Sequence, residues 1–256
     1  MLKVSSRNGF VSALLASRTS HVLARPRRSH AYSRTQEFST SPVRLGQASQ
    51  DANAPLRGVV FDLDGTLTKE GSLDFDEMYR RAGKPPAEKN ILAWVETLPL
   101  DEKAKAEKAI REVEREGYQR QELTTNCKAM LAQLRKRPLK LAILTRNSDE
   151  GVQIFLDMFG LHNTFAATFS RDWKLGRAKP HPDALLHVAE EWSLAPQQIM
   201  MVGDWKDDIE AGLAAGTRTC LKRNPHSKQR DNSGITSADF DVQDLLELVP
   251  LVDRLV

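Results

Sequence analysis

The sequence predicts an α/β fold, a doubly wound parallel sheet with an α-helical insert after its first strand. Short apolar and β-branched runs alternate with helical segments, which is typical of a parallel sheet covered by helices on both faces. A helix-forming stretch rich in Glu, Lys and Ala separates the first two apolar runs. The length of 256 residues is sufficient for one such domain with an insertion.

The core elements are predicted to follow one another in strand-then-helix order. Buried strands are predicted at 57–61, 139–144, 166–169, 199–202 and 217–221. Helices are predicted at 124–136, 147–159, 182–192 and 206–215, and Gly160 and Gly216 are fitting C-terminal stops. The polar residues 223–238 are predicted to form a loop, and a last apolar helix is predicted near 242–248. The core therefore comprises residues 57–68 and 124–256.

The insert is predicted to span residues 69–123 and to be helical throughout. Three helices are indicated, near 74–82, 87–97 and 101–123, and the last carries alternating Glu and Lys or Arg. Pro85-Pro86 and Pro99 separate the three helices. The chain therefore contains a helical insert of about 55 residues between its first two strands.

The basic charge of the chain is concentrated at its N-terminus. Residues 1–56 hold 8 of the 37 Lys and Arg but 2 of the 34 Asp and Glu, so they carry +6 and the remainder −3. An Arg-rich, Ser-rich and acid-poor segment over 1–45 predicts a mitochondrial transit peptide and a location in the matrix; a disordered basic tail is the alternative. Because the remainder is acidic, nucleic-acid binding is not expected. No apolar run reaches about 18 residues, so no membrane span is expected.

The two cysteines, Cys127 and Cys220, do not have the spacing of a metal site. We expect both to be reduced thiols with a structural role.

Polar clusters follow three of the predicted strands, and a fourth precedes the helix before the strand at 199–202. The clusters are Asp62-Leu-Asp64-Gly65, Thr145-Arg146-Asn147, Lys179-Pro-His-Pro and Gly203-Asp204 with Asp207 and Asp208. Each pattern alone is more often a turn, a helix cap or a solvated side chain. Together they indicate a ligand site, because ligands in open α/β sheets bind at the carboxyl ends of the strands.

These residue types fit phosphoryl chemistry. Asp62 and Asp64 are two residues apart, so both can face one site, and Asp204 adds a carboxylate from another strand. Converging carboxylates repel one another unless a cation joins them, and hard oxygen ligands suit Mg²⁺. Lys179 adds a positive charge and Thr145 a hydroxyl, which together can hold a phosphoryl group.

With these four motifs in this order, the sequence resembles the haloacid dehalogenase-like superfamily of hydrolases over residues 57–222. The resemblance implies a doubly wound Rossmann-like core, with the insert at 69–123 as a small α-helical cap. It also implies a Mg²⁺-dependent phosphomonoester hydrolase that acts on a small phosphorylated metabolite. It implies that Asp62 is the nucleophile, forming an aspartyl-phosphate, and that Asp64 is the general acid and base. Thr145 would bind a phosphoryl oxygen, and Lys179 would stabilise the nucleophile and the transferred group.

The resemblance also implies a metal site and its surroundings. Mg²⁺ would be held by the carboxylates of Asp62 and Asp204 and by the backbone carbonyl of Asp64. Asp208 would orient metal-bound water or Lys179, and Asp207 occupies a more variable position. The remaining motif residues are predicted to contact substrate: Gly65, Thr66, Arg146 and Asn147.

Several alternatives stay open at the level of sequence. Asp64 favours phosphate-ester hydrolysis over dehalogenation, but a phosphomutase-type transferase would use the same residues. A catalytically silent scaffold or binding protein is a further alternative. Arg146 stands where Asn or Ser is common in the family, and Arg177 and His181 flank Lys179, so each is a candidate contact to substrate. The substrate's identity and the oligomeric state are not specified by the sequence.

Overall fold

A computed structural model of the chain describes residues 54–88, 90–224 and 232–256, and the predicted leader lies outside these residues. The strands are β1 (Gly58–Phe61), β2 (Lys140–Leu144), β3 (Ala167–Phe169), β4 (Ile199–Gly203), β5 (Arg218–Lys222) and β6 (Phe240–Val242). The helices are α1 (Phe75–Ala82), α2 (Ile91–Glu96), α3 (Leu100–Tyr118), α4 (Cys127–Leu134), α5 (Asp149–Phe159), α6 (Asp183–Trp192), α7 (Lys206–Ala215) and α8 (Leu248–Asp253). Short 3₁₀ turns lie at Pro196–Gln198 and Leu245–Glu247.

The strands form one parallel sheet in the order β3-β2-β1-β4-β5-β6. This arrangement confirms the predicted doubly wound α/β fold. The chain builds outward from β1 first to one side and then to the other. A reversal of this kind opens a crevice at the carboxyl ends of β1 and β4, where ligands bind in such sheets.

Helices cover both faces of the sheet. Val59 and Phe61 of β1 pack on one face in a fully buried cluster that also contains residues of α4, α5 and α8. Val60 points to the opposite face and packs with residues of α6 and α7. Because both faces are buried, the central strands are apolar at nearly every position.

The cap consists of α1, α2 and α3 around a small apolar core of its own, formed by Met78, Ile91, Val95, Ala106, Ile110 and Val113. Asp74 caps the N-terminus of α1 by accepting a hydrogen bond from the backbone of Glu77. The two linkers to the core lie side by side, since Lys69 N donates to the carbonyl of Glu122 and Thr124 N to that of Leu67.

The C-terminal region differs from the prediction. Residues 240–242 form a sixth strand, paired with β5 with Cys220 opposite Phe240, and the helix begins at Leu248 rather than near 242. A three-residue edge strand is too short to show an alternating pattern, so the apolar Val242 was wrongly assigned to the helix. In the cap, α3 ends at Tyr118, five residues before the predicted end. No helix among the described residues is both long and apolar enough to cross a membrane.

Candidate active site

β1 leads directly into the turn that carries Asp62 and Asp64. The backbone N–H of Asp62 donates to the carbonyl of Val202 in β4 at 2.9 Å, which places the aspartate at the crevice between these two strands. The carbonyl of Leu63 closes the turn by accepting from the backbone of Thr66 at 3.3 Å. Gly65 has φ +92°, a conformation that side chains with a Cβ rarely adopt, so the turn requires glycine here.

Lys179 connects the carboxylates that follow β1 and β4. Its Nζ lies 2.6 Å from Oδ1 of Asp62 and 2.6 Å from Oδ1 of Asp208, and it donates to the carbonyl of Leu144 at 2.8 Å. The second oxygen of Asp62 accepts from the hydroxyl of Thr66 at 3.3 Å. Lys179, Asp62 and Asp208 are all buried. The ammonium group is therefore fixed by three acceptors at the centre of the site.

Burial and charge act in opposite directions on this cluster. Burial alone would lower the pKa of Lys179, but the carboxylates of Asp208 and Asp62 outweigh it and hold the pKa above its ordinary value. Burial raises the pKa of Asp208 to about 6, and the nearby charge of Asp62 adds to this, although Lys179 opposes it. Lys179 therefore keeps its positive charge between the two carboxylates.

Three carboxylates converge at this point. Asp62, Asp204 and Asp208 each place an oxygen within 4.8 Å of the others'. This donor set consists of hard oxygen atoms, which suits Mg²⁺ in preference to softer metals. The sequence predicted Asp62, Asp64 and Asp204 as metal ligands and Asp208 as a residue that orients metal-bound water or Lys179. In the structure the carboxylate of Asp208 contacts Lys179 and lies close to the carboxylates of Asp62 and Asp204.

Asp204 is held by residues that sequence reasoning missed. Asn224 donates from Nδ2 to Oδ2 of Asp204 at 3.0 Å, and Asn232 donates to its backbone carbonyl at 2.9 Å. Both asparagines are buried. Asn224 follows the end of β5, so the strand-end rule that identified the other clusters also applies to it.

The segment after β2 supplies Thr145, Arg146 and Asn147. The hydroxyl of Thr145 accepts from the backbone of Asn147 at 3.0 Å, and the side chain of Asn147 donates to Oδ2 of Asp64 at 3.2 Å. The guanidinium of Arg146 donates to Asp207 at 2.9 Å and to Asn90 of the cap at 2.7 Å. Arg146 therefore joins the cap to the core beside the cluster of carboxylates.

A cavity of about 480 Å³ lies between the cap and the carboxyl ends of the strands. On the core side it is lined by Asp62, Asp64, Thr145, Arg146, Asn147, Lys179, Trp205, Asp207 and Asp208, among others. The cap contributes a mainly apolar wall that includes Leu73, Phe75, Met78, Tyr79, Ile91 and Leu92. Cavities of 300–1,000 Å³ are typical of small-molecule sites. Gly65 and Thr66, predicted to contact substrate, do not line this cavity.

A partly buried ion pair joins the cap to the core at the side of the cavity. Arg171, in the loop after β3, donates to both carboxylate oxygens of Glu114 in α3. Both residues line the cavity. The hydrogen bonds of Arg171, like those of Arg146, thus connect the core to the cap.

Arg177 and His181 lie outside this cavity. They line a neighbouring groove of about 730 Å³ that shares Asn90, Arg146, Arg171 and Lys179 with it. The guanidinium of Arg177 is largely exposed and pairs with Asp183 at 3.0 Å. These two residues are thus placed at the approach to the site and not beside the carboxylates.

Comparison with known proteins gives a consistent assignment. Residues 59–222 match the family model of the haloacid dehalogenase-like hydrolases. The chain is 32% identical to a haloacid dehalogenase-like hydrolase domain-containing protein of Arabidopsis thaliana, over 82% of this chain and 89% of the relative. It is 30% identical to the N-acetylmuramic acid 6-phosphate phosphatase of Pseudomonas putida, over 77% and 96%.

A solved structure also shares the fold. A hydrolase of the haloacid dehalogenase-like family from Streptococcus pneumoniae superposes with a TM-score of 0.60 at 19% identity, over 77% of this chain and 98% of that one. The order of the strands, the cap after β1 and the carboxylates beside Lys179 accord with the match of the family model to residues 59–222. The chain belongs to the haloacid dehalogenase-like hydrolases.

Proposed function

We propose that the protein is a Mg²⁺-dependent phosphomonoester hydrolase that acts on a small phosphorylated metabolite through an aspartyl-phosphate on Asp62. The observation that carries the proposal is the contact of buried Lys179 with Asp62 inside a cluster of three carboxylates. Asp64, which faces the same cavity, supplies the second carboxyl group that ester hydrolysis requires.

In the first half of the reaction, an oxygen of Asp62 bonds to phosphorus while the bond from phosphorus to the ester oxygen breaks. The proton of Asp64 goes to the departing oxygen, which leaves as an alcohol. Lys179, 2.6 Å from Asp62, keeps this carboxylate oriented and offsets negative charge on the transferred group. Thr145 lines the cavity beside Asp64 and supplies a hydroxyl for a phosphoryl oxygen.

In the second half, water bonds to phosphorus and the bond from phosphorus to Asp62 breaks. Asp64 takes a proton from the water, which restores its acid form, and Asp62 returns to a carboxylate. The apolar wall formed by Leu73, Phe75 and Met78 limits bulk water around the intermediate.

The carboxylates of Asp62 and Asp204 and the backbone carbonyl of Asp64 would hold the magnesium ion, and Asp208 would orient Lys179 beside it. When bound, the ion would neutralise part of the charge of the phosphoryl group. Lys179 contacts two of the three buried carboxylates, and the buried Lys222 acts on Asp204. These two cations do not offset all three negative charges, which supports a resident metal ion.

The size of the cavity supports a small substrate. A volume of about 480 Å³ accommodates a phosphorylated acid or sugar and leaves little space for a polymer. The relative from Pseudomonas putida is named for a phosphorylated amino sugar acid, which is of this size class.

The experiment is a hydrolysis assay over a panel of phosphorylated metabolites, with protein lacking residues 1–45. We expect Mg²⁺-dependent release of phosphate, loss of activity with a chelator, and recovery on adding Mg²⁺. Asp62→Asn should reduce turnover by at least about a thousandfold, since the nucleophile is removed. Release of phosphate by Asp62→Asn at the rate of the unchanged protein would exclude Asp62 as the nucleophile.

The same assay separates the alternatives. A phosphomutase-type transferase would form the same phosphate on Asp62 but pass the group to an acceptor instead of water. A silent binding protein would be stabilised by Mg²⁺ and release no phosphate from any compound. In both cases the proposed hydrolase activity would be rejected.

We also propose that residues 1–45 direct the protein to the mitochondrial matrix, because this segment is Arg-rich and nearly free of acidic residues. A fluorescent protein fused to the C-terminus should locate to mitochondria. The fusion without residues 1–45 should remain in the cytosol, and an unchanged location would contradict the proposal.

A further inference from the structure

We propose that Tyr118, the last residue of α3 in the cap, is a positioning residue that orients Asp64 through Asn147. This inference rests on the proposed function, because it takes Asp64 to be the group that gives and receives the proton. Tyr118 belongs to the cap, whereas Asn147 and Asp64 belong to the core.

The three side chains form a continuous chain of hydrogen bonds. The buried hydroxyl of Tyr118 donates to Oδ1 of Asn147 at 2.7 Å. Nδ2 of Asn147 then donates to Oδ2 of Asp64 at 3.2 Å. The cap therefore reaches one oxygen of Asp64 through a single intervening amide.

Tyr118 and the backbone N–H of Ser148 together hold the amide of Asn147 with one end toward Asp64. Oδ1 of Asn147 accepts from the tyrosine hydroxyl and from the backbone of Ser148 at 2.8 Å, and only an oxygen can accept both. The amide nitrogen must then face Asp64. With the amide reversed, its oxygen would lie against the carboxylate and repel it.

A glycine in α5 leaves the space that this arrangement needs. A Cβ on Gly151 would lie 2.4 Å from Oδ1 of Asn147 and 2.5 Å from the hydroxyl oxygen of Tyr118. Glycine is unfavourable inside a helix, so its presence at this position has a cost that the hydrogen-bonded pair explains. This steric observation is independent of the hydrogen bonds themselves.

The inference predicts a dependence on the leaving group. p-Nitrophenyl phosphate releases a phenolate that needs little help from an acid, whereas benzyl phosphate releases an alkoxide that must be protonated. If Tyr118 orients Asp64, Tyr118→Phe should reduce kcat/KM for benzyl phosphate by about tenfold more than for p-nitrophenyl phosphate, part of the 10²–10⁴ that general acids contribute. kcat/KM is the proper quantity because it reports the steps up to transfer to Asp62.

A double variant shows whether the effect passes through Asp64. In an Asp64→Asn background, Tyr118→Phe should cause no further difference between the two esters, because the group that it orients is already changed. Gly151→Ala should reproduce the leaving-group difference by displacing the same amide. It reaches the same amide from α5, so it tests the inference separately where Tyr118→Phe folds poorly.

The matched control is Arg115→Gln, which removes an exposed ion pair between α3 and Glu150 of α5 at 2.8 Å. This contact also joins the cap to the core but does not involve Asn147. We expect it to leave the ratio of the two kcat/KM values unchanged. A change equal to that of Tyr118→Phe would mean that any loosening of α3 has the same effect, and would overturn the inference.

The outcomes separate the inference from the function on which it rests. If the unchanged full-length protein hydrolyses neither ester nor any metabolite of the panel, the proposed function fails. If it hydrolyses both esters and Tyr118→Phe slows them equally, or slows neither, only the role of Tyr118 is rejected. A crystal structure of Tyr118→Phe decides the inference without turnover, since Asn147 still donating to Asp64 at the original distance would contradict it.

Discussion

A Cβ atom on Gly65 would lie 2.2 Å from Oδ2 of Asp204, closer than non-bonded atoms approach. The turn after β1 and the carboxylate after β4 are therefore in direct contact. Asp204 can occupy its position only because residue 65 has no side chain. Asn224 strengthens this contact by donating to both Asp204 and the carbonyl of Gly65.

Gly65→Ala should displace Asp204 and weaken Mg²⁺ binding by about 10–100-fold, the usual effect of changes that support metal ligands. The binding can be measured by calorimetry. Gly71→Ala is the matched control, because Gly71 also has a positive φ, +86°, but has nothing within 4 Å of its Cβ position. Equal loss in both variants would show that backbone strain, and not contact with Asp204, is responsible.

Lys179→Met should destabilise the fold by about 3 kcal/mol, because it leaves the carboxylates of Asp62 and Asp208 buried without their cation. Saturating Mg²⁺ should restore part of this loss by neutralising the same carboxylates. Urea unfolding with and without Mg²⁺ measures both effects. Lys174→Met, at an exposed position of the same loop, should change neither, and a similar loss there would contradict the electrostatic explanation.

Arg146→Gln should raise KM about tenfold with a smaller change in kcat. The guanidinium joins Asn90 of the cap to Asp207 of the core, and a hydrogen bond to a charged group contributes about 1.5–3 kcal/mol. Steady-state kinetics on a metabolite from the panel gives both constants. Arg137→Gln removes a comparable pair with Asp253, away from the cavity, and serves as the control. Unchanged KM in Arg146→Gln would show that this bridge does not assist binding.

The two thiols should be unreactive in the folded protein. Burial raises the pKa of Cys127 to about 12 and that of Cys220 to about 12, so few thiolates form at pH 8. Above about pH 9 the unfolded chain loses thiol protons that the folded chain retains, so this contribution to stability should fall as the pH rises. Alkylation followed by mass spectrometry tests whether the folded protein's thiols are unreactive. Rapid labelling of the native protein would contradict this prediction.

The pH effect can be assigned with a variant. Cys127→Ala combined with Cys220→Ala should remove the part of the decline in unfolding free energy above about pH 9 that these two thiols cause. An identical decline with pH in the unchanged and double-variant proteins would exclude the thiols as its source.

The general architecture could be predicted because it depends on local patterns. The sequence runs that correspond to β1, β2 and β4 are apolar on both faces, and each is followed by polar residues. The strands and their carboxyl ends could therefore be recognised from the sequence. The short strand β6 was missed because three residues at a sheet edge carry no distinct period.

The relationships across the boundary between cap and core could not be predicted. Tyr118 falls within the helix predicted near 101–123, and nothing in its neighbours along the chain indicates Asn147, which lies 29 positions away. Arg146 was predicted to meet substrate, and its partners Asn90 and Asp207 are distant in sequence. Such pairs depend on how two parts of the fold dock, which a single sequence does not encode in any local pattern.

The paired linkers of the cap have an evolutionary consequence. The chain leaves the core at Lys69 and returns at Thr124, and an antiparallel bridge between Thr68 and Leu123 holds the two passages together. An insert whose ends meet in this way can be lengthened, shortened or exchanged without moving the strands beneath it. Selectivity and chemistry can therefore diversify separately, since new substrates require changes in an appendage and not in the scaffold that carries the carboxylates.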